Sequence, residues 1–131
     1  MNKIYYTIEE AEKLLPVVKR KLKDLIRLKK DISDLQSINI QITDESYEGN
    51  LLILRSSKDY HKVLYEFYNE MEFLAKKGII IKNLDLGIID FYSKFEARDV
   101  FLCWKIGEKR INYWHETDSG FIGRKQIVNS F

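Results

Sequence analysis

The chain has 131 residues, of which 45% are hydrophobic; that is the size of one ordinary domain with enough apolar material for a packed core, which excludes wholesale disorder. Its 22 basic and 20 acidic residues leave a formal charge of +2, with no lopsided segment, which argues against a nucleic-acid or anionic-membrane surface. One cysteine excludes an intrachain disulfide, no run approaches the roughly 18 apolar residues of a membrane span, and the N-terminus lacks a signal peptide's apolar run and cleavage site, so a reducing cytoplasm is the expected setting.

The first element is announced by Thr7 and Glu10. They form a Thr-x-x-Glu capping box, in which hydroxyl and carboxylate each satisfy a free backbone N–H at a helix start. Apolar residues then recur at Ile8, Ala11, Leu15, Val18, Leu22, Leu25 and Ile32, with Lys29 breaking the series once. Steps of three and four place them on one stripe of a helix over about 7–35. Leu14, Leu28 and Leu35 widen the stripe, while Lys13, Lys19, Arg20, Lys23, Arg27 and Lys30 make a solvated opposite side. Pro16 is discordant, because a proline inside a helix removes a backbone donor and costs about 3 kcal/mol. It predicts a kink or break near Leu14–Leu15, or a fresh first turn.

Residues 36–50, QSINIQITDESYEGN, are polar and without an evident cap. They read as an inter-helix loop, with the alternation of Ile38, Ile40 and Ile42 leaving a short strand as the alternative. The helical period returns at Ile53, Tyr60, Leu64, Phe67, Met71 and Leu74, and Lys76-Lys77-Gly78 is a typical stop. A second helix over about 48–77 should pack antiparallel on the first.

After Gly78 the residues change to short β-branched and aromatic runs at 79–81, 86–92, 100–106 and 111–115, punctuated by Gly87, Gly107 and Gly120. They predict an antiparallel sheet of three or four strands over about 79–116. Helices and strands segregate along the chain, so the class is α+β, in a single domain over 1–131.

The stretch 102–116, LCWKIGEKRINYWHE, holds Cys103, both tryptophans and His115. An even loop after Ile106, either two or four residues long, puts Leu102, Trp104, Tyr113 and His115 on one face and Cys103, Trp114 and Glu116 on the other. On that register Cys103 and His115 cannot share a metal. A three-residue loop, 107–109, would bring them together but sets Lys105 against Ile111. No metal spacing such as C-x-x-C or H-E-x-x-H is present. Cys103 reads as a small core residue, without the base a nucleophile needs. His115 and Glu116, followed by the loop SGFIGR with Arg124, make a candidate binding edge. If a metal were held, His115, Glu116 and Asp90 would be its ligands. Asp85 reads as a turn residue, and Asp90 as a cross-strand partner of Arg98.

Three stretches, TIEEAEKLLP, KGIIIKNLDLGIIDF and RDVFLCWKIGEKRINYWHETDSGFIGR, together resemble the small prokaryotic family named domain of unknown function 2203. The resemblance implies a stand-alone cytoplasmic protein of bacteria or archaea and brings no activity, substrate or cofactor with it. A site shared with that family would fall at Asp85, Asp90, Arg98, Cys103, Trp104, Glu108, Trp114, His115, Glu116, Gly120 and Arg124.

Two functions follow as expectations. The first is a non-catalytic interaction or assembly module, a homodimer formed through the helices, with Leu14, Leu28, Leu35, Val63 and Tyr68 available to a second copy or another protein partner. The alternative is a small metal- or ligand-binding protein or enzyme, its site drawn from Asp85, Asp90, Arg98, His115, Glu116 and Arg124. Nucleic acid and membrane are not expected partners, and no cofactor is indicated.

Overall fold

The computed structural model describes residues 3–127. Helix α1 runs Ile8–Gln41 and α2 runs Tyr47–Lys76. Strands β1 (Ile79–Asn83), β2 (Ile88–Phe95), β3 (Arg98–Lys105), β4 (Tyr113–Glu116) and β5 (Lys125–Gln126) follow, with one 3-10 turn at Phe121–Gly123. The fold is α+β, a helical hairpin followed by an antiparallel meander in the order β1-β2-β3-β4-β5. The sheet has five strands where three or four were expected; β5 is a two-residue strand on β4 with no apolar alternation to signal it. No helix among the described residues is long and apolar enough to cross a membrane.

The chain divides into two compact units, residues 3–22 with 73–127, and Lys23–Glu72. The second unit is the outer part of the hairpin. It corrects the expected loop: α1 continues to Gln41, and only residues 42–46 connect the helices. The start of α2, expected near 48, falls at Tyr47, with a cap that is not a Ser-x-x-Glu box. Ser46 Oγ accepts from the Gly49 N–H at 3.1 Å, while Asp44 accepts from the Ser46 N–H and hydroxyl. A Cβ at Gly49 would lie 2.0 Å from the Asp44 carbonyl oxygen, so the tight entry requires glycine. Across the hairpin Gln36 donates to the Tyr60 hydroxyl at 3.0 Å.

The first unit holds the sheet. The predicted capping box is present: the Thr7 N–H donates to Glu10 at 2.9 Å, and the Glu10 N–H to the Thr7 hydroxyl at 3.1 Å. The break expected at Pro16 is absent; α1 passes through it. Proline forfeits one bond, to the Glu12 carbonyl, while Ala11, Leu15, Val18 and Leu22 along the same stripe are buried. At about 2 kcal/mol for each of Leu15, Val18 and Leu22, that burial outweighs the loss. Before the helix, the Tyr6 N–H donates to the Tyr92 carbonyl and the Ser93 hydroxyl to the Tyr6 carbonyl, tying the N-terminal segment to β2 beyond the end of β1.

Register decides which residues share a face. β2 and β3 join through Glu96-Ala97, both with positive φ (50° and 62°). This two-residue turn sets Asp90 opposite Cys103 and Phe95 opposite Arg98. The expected pairing of Asp90 with Arg98 is therefore wrong, because the turn lies next to Arg98 and carries no glycine to mark it. β3 pairs with β4 as Phe101 with His115, Leu102 with Trp114 and Cys103 with Tyr113. One face carries Asp90, Phe101, Cys103, Tyr113 and His115. The other carries Phe91, Val100, Leu102, Trp104, Trp114 and Glu116. The even-loop register is overturned, and Cys103 and His115 lie on the same face.

The cause is Glu108. Its side chain accepts from the Lys105 N–H at 2.7 Å, its own N–H donates to the Lys105 carbonyl, and its carbonyl accepts from the Trp104 indole at 2.9 Å. This turn takes the chain out of the β3–β4 ladder after Cys103. The Ile106 N–H donates to the Gly87 carbonyl instead.

Candidate metal centre

Three neighbouring strands each contribute one side chain to a buried cluster. Asp90 comes from β2, Cys103 from β3 and His115 from β4; they are 0%, 0% and 1% exposed. A carboxylate oxygen, the thiol sulfur and a ring nitrogen all lie within 4.8 Å of one another. Asp90 and Cys103 are direct cross-strand partners, while His115 faces Phe101 and is the diagonal neighbour of Cys103.

The imidazole is held from both sides. Its Nδ1 lies 2.8 Å from the Glu116 backbone carbonyl, and its Nε2 lies 3.0 Å from Asp90 Oδ2. A carbonyl only accepts, so Nδ1 carries a proton and donates. Nε2 faces a carboxylate, which also accepts; a second proton or a cation must lie between them. Burial lowers the His115 pKa, but the Asp90 hydrogen bond and charge and the Glu116 carbonyl together outweigh it, and the net shift is upward. The direction of that shift favours a protonated ring beside Asp90 in the metal-free site. Lys82 adds a second cation at 4.0 Å from the same Asp90 oxygen, with its ammonium also over the Phe101 ring.

Asp90 Oδ1 is buried and has no hydrogen-bond partner among the described residues. Buried polar atoms are almost always paired, so an open carboxylate oxygen beside a thiol and an imidazole is chemically informative. The Cys103 thiol is pushed up to about 12, mainly by burial and then by the Asp90 charge, with Arg124 pulling the other way. At neutral pH it is a thiol, unsuited to act as a free nucleophile.

The remaining candidates disperse. Glu116 points to the opposite face, where Arg98 holds both its oxygens at 3.1 and 2.5 Å, so it cannot complete a ligand set with His115 and Asp90. Arg98 also bonds Glu96, and the Glu116 carboxyl is held below its ordinary range chiefly by the Arg98 hydrogen bond. Arg124 does not meet Glu116; it bonds Glu108 at 3.1 and 3.2 Å and lies over the Tyr113 and Phe121 rings at 4.0 and 3.9 Å. Asp85 is exposed in the β1–β2 turn, where Asn83 rather than Asp85 accepts the Leu86 N–H. Trp104 and Trp114 fill the core on the face opposite the cluster. A groove of about 420 Å³ lined by Glu12, Leu15, Pro16, Lys19, Trp104, Gly107, Glu108 and Lys109 shares no residue with the cluster. Gly120 lies beside the 3-10 turn, with nothing within 4 Å of where a Cβ would stand.

The comparisons with known proteins agree with the resemblance. The model of a family described as "Uncharacterized conserved protein (DUF2203)" matches residues 4–127, and the chain belongs to that family. No curated protein and no solved structure matches it.

Proposed function

We propose that this member of the DUF2203 family binds one divalent transition-metal ion, of which zinc is the best chemical fit, through Asp90, Cys103 and His115. The observation that carries this reading is the convergence of one oxygen, one sulfur and one nitrogen donor, all buried, within 4.8 Å of one another. That donor mixture suits a borderline-soft cation. Three protein ligands leave one coordination position open, as in zinc sites that hold water or a small ligand rather than in closed structural sites. The His115 Nδ1–H bond to the Glu116 carbonyl presents Nε2 to the ion, the usual outer support of a metal-bound histidine. Loading requires the thiol and Nε2 to give up their protons. Two anionic ligands and a neutral imidazole then balance a divalent charge, which suits a buried site.

Elemental analysis of protein purified without an affinity tag tests this. Near-stoichiometric metal is expected, lost in Cys103→Ala and His115→Ala and retained in Glu116→Gln. Cobalt(II) added to metal-free protein should give a thiolate charge-transfer band that Cys103→Ala lacks. A wild-type protein that contains no metal and gives no such band with cobalt would reduce the cluster to a structural ion pair. An assembly role is the second reading. It is favoured by the exposed apolar residues of α2, which share nothing with the cluster.

A further inference from the structure

The outer part of the hairpin carries two seams on α2. One comprises Gly49, Ile53, Ser56, Tyr60, Val63 and Phe67, which are buried or half-buried. The second comprises Tyr47, Leu51, Leu54, Lys58, His61, Tyr65 and Tyr68 and, at 3.6 residues per turn, lies on the opposite side of the helix. Tyr47, Leu54, Tyr65 and Tyr68 are 76%, 61%, 70% and 63% exposed. Of the five residues expected from sequence to meet a second copy, only Tyr68 is on this stripe: Leu28 is buried, and Leu14, Leu35 and Val63 are half-buried.

We infer that the outer stripe of α2 is a homodimer interface, with a second copy laid antiparallel along it. The stripe is self-complementary about a two-fold axis near Tyr60. Leu54 then meets the partner's Tyr65, and Leu51 meets the partner's Tyr68. Beside the stripe, Arg55 falls opposite the partner's Glu66, and Asp59 opposite the partner's Lys62. Each pairing occurs twice by symmetry. Within one chain none of these four groups has a salt-bridge partner among the described residues. A covered aromatic side chain buries about 150–250 Å², so three tyrosines and Leu54 offer on the order of 500 Å², most of the ~800 Å² that each partner buries in a standard interface.

Sedimentation equilibrium of the full chain at tens of micromolar tests the proposal. The wild type is expected to be a dimer. Tyr65→Asp should weaken it about a hundredfold. Arg55→Glu should weaken it about tenfold, and Arg55→Glu combined with Glu66→Arg should restore it. All three positions are exposed, so circular dichroism should be unchanged. A monomeric wild type, or a dimer indifferent to Tyr65→Asp, would overturn the interface. A dimer broken by Arg55→Glu but not restored by the charge exchange would overturn the antiparallel arrangement.

Discussion

His115 and Glu116 are neighbours in β4, yet they serve opposite faces of the sheet under opposite physical conditions. On one face the His115–Asp90 pair is buried, at 1% and 0% exposed. On the other, the Glu116–Arg98 pair is partly open to water, at 31% and 41%. The open pair is fully satisfied: a planar guanidinium meets both carboxylate oxygens. The buried pair leaves Asp90 Oδ1 without a partner among the described residues. Placing the less satisfied carboxylate where water cannot reach it is unfavourable for a purely structural pair. The difference makes sense if the buried face is shaped for an ion and the open face only for a bond between strands.

The sharpest way to break this contrast is to remove the two carboxylates in turn. In metal-free protein Asp90→Ala leaves the buried His115 Nε2 without its partner and should cost about 3–5 kcal/mol of unfolding free energy. Glu116→Ala leaves a hydrated guanidinium that still has Glu96, and its cost should be far smaller. Urea unfolding of both variants gives the comparison, and equal losses would abolish it. Zinc should sharpen it next. At a free concentration one hundred times its dissociation constant, a ligand that binds only the folded state adds about 2.7 kcal/mol. A thermal melt should rise accordingly in the wild type and in Glu116→Ala, and stay unmoved in Cys103→Ala.

The helical period and the capping box made the hairpin legible, because each rests on local spacing. The faces of the sheet were not legible in the same way. They depend on two turns whose chemistry is unmarked. Glu96-Ala97 reverses the chain with no glycine or asparagine, and Glu108 draws three hydrogen bonds into a turn that ends the β3–β4 ladder early. A shift of one residue exchanges every side chain between faces, so Cys103 and His115 were separated on paper and Glu116 was put where Cys103 belongs. Asp90 and His115 were both candidates by residue type. Their partnership with the thiol belonged to the register of a three-residue loop at 107–109, the alternative that sequence disfavoured, and it is that register which β3 and β4 adopt.

That register can be tested at the β2–β3 turn. Ala97 sits at φ 62°, a conformation that costs an L-residue about 1–2 kcal/mol. Ala97→Gly relieves this strain but loosens the unfolded chain, for a net gain of about 0.5–1 kcal/mol. The same substitution should leave the metal content unchanged, because the pairing of Asp90 with Cys103 is preserved. A loss of stability, read in the same urea titration, would mean that the turn does not adopt the left-handed geometry on which both faces depend.

The smallest expected effect compares two carboxylates on one face. Asp99, opposite Lys94, lies on the same face as Asp90 but in an open setting. It accepts from Lys94 at 2.6 Å and from Lys3 and Tyr5 at 3.1 Å each. These bonds, Lys94 first, hold its carboxyl down to about 2. A depressed acid stabilises the fold when ionised. The contribution is fully present above the ordinary value near 3.8 and is lost as the pH falls from there through 2. Exposure to solvent keeps it small. A melting series across that window should therefore fall slightly more steeply in the wild type than in Asp99→Asn, and the difference should shrink in high salt as screening weakens the lysine pairs. Parallel slopes would show that Asp99 gains nothing from its three donors in water.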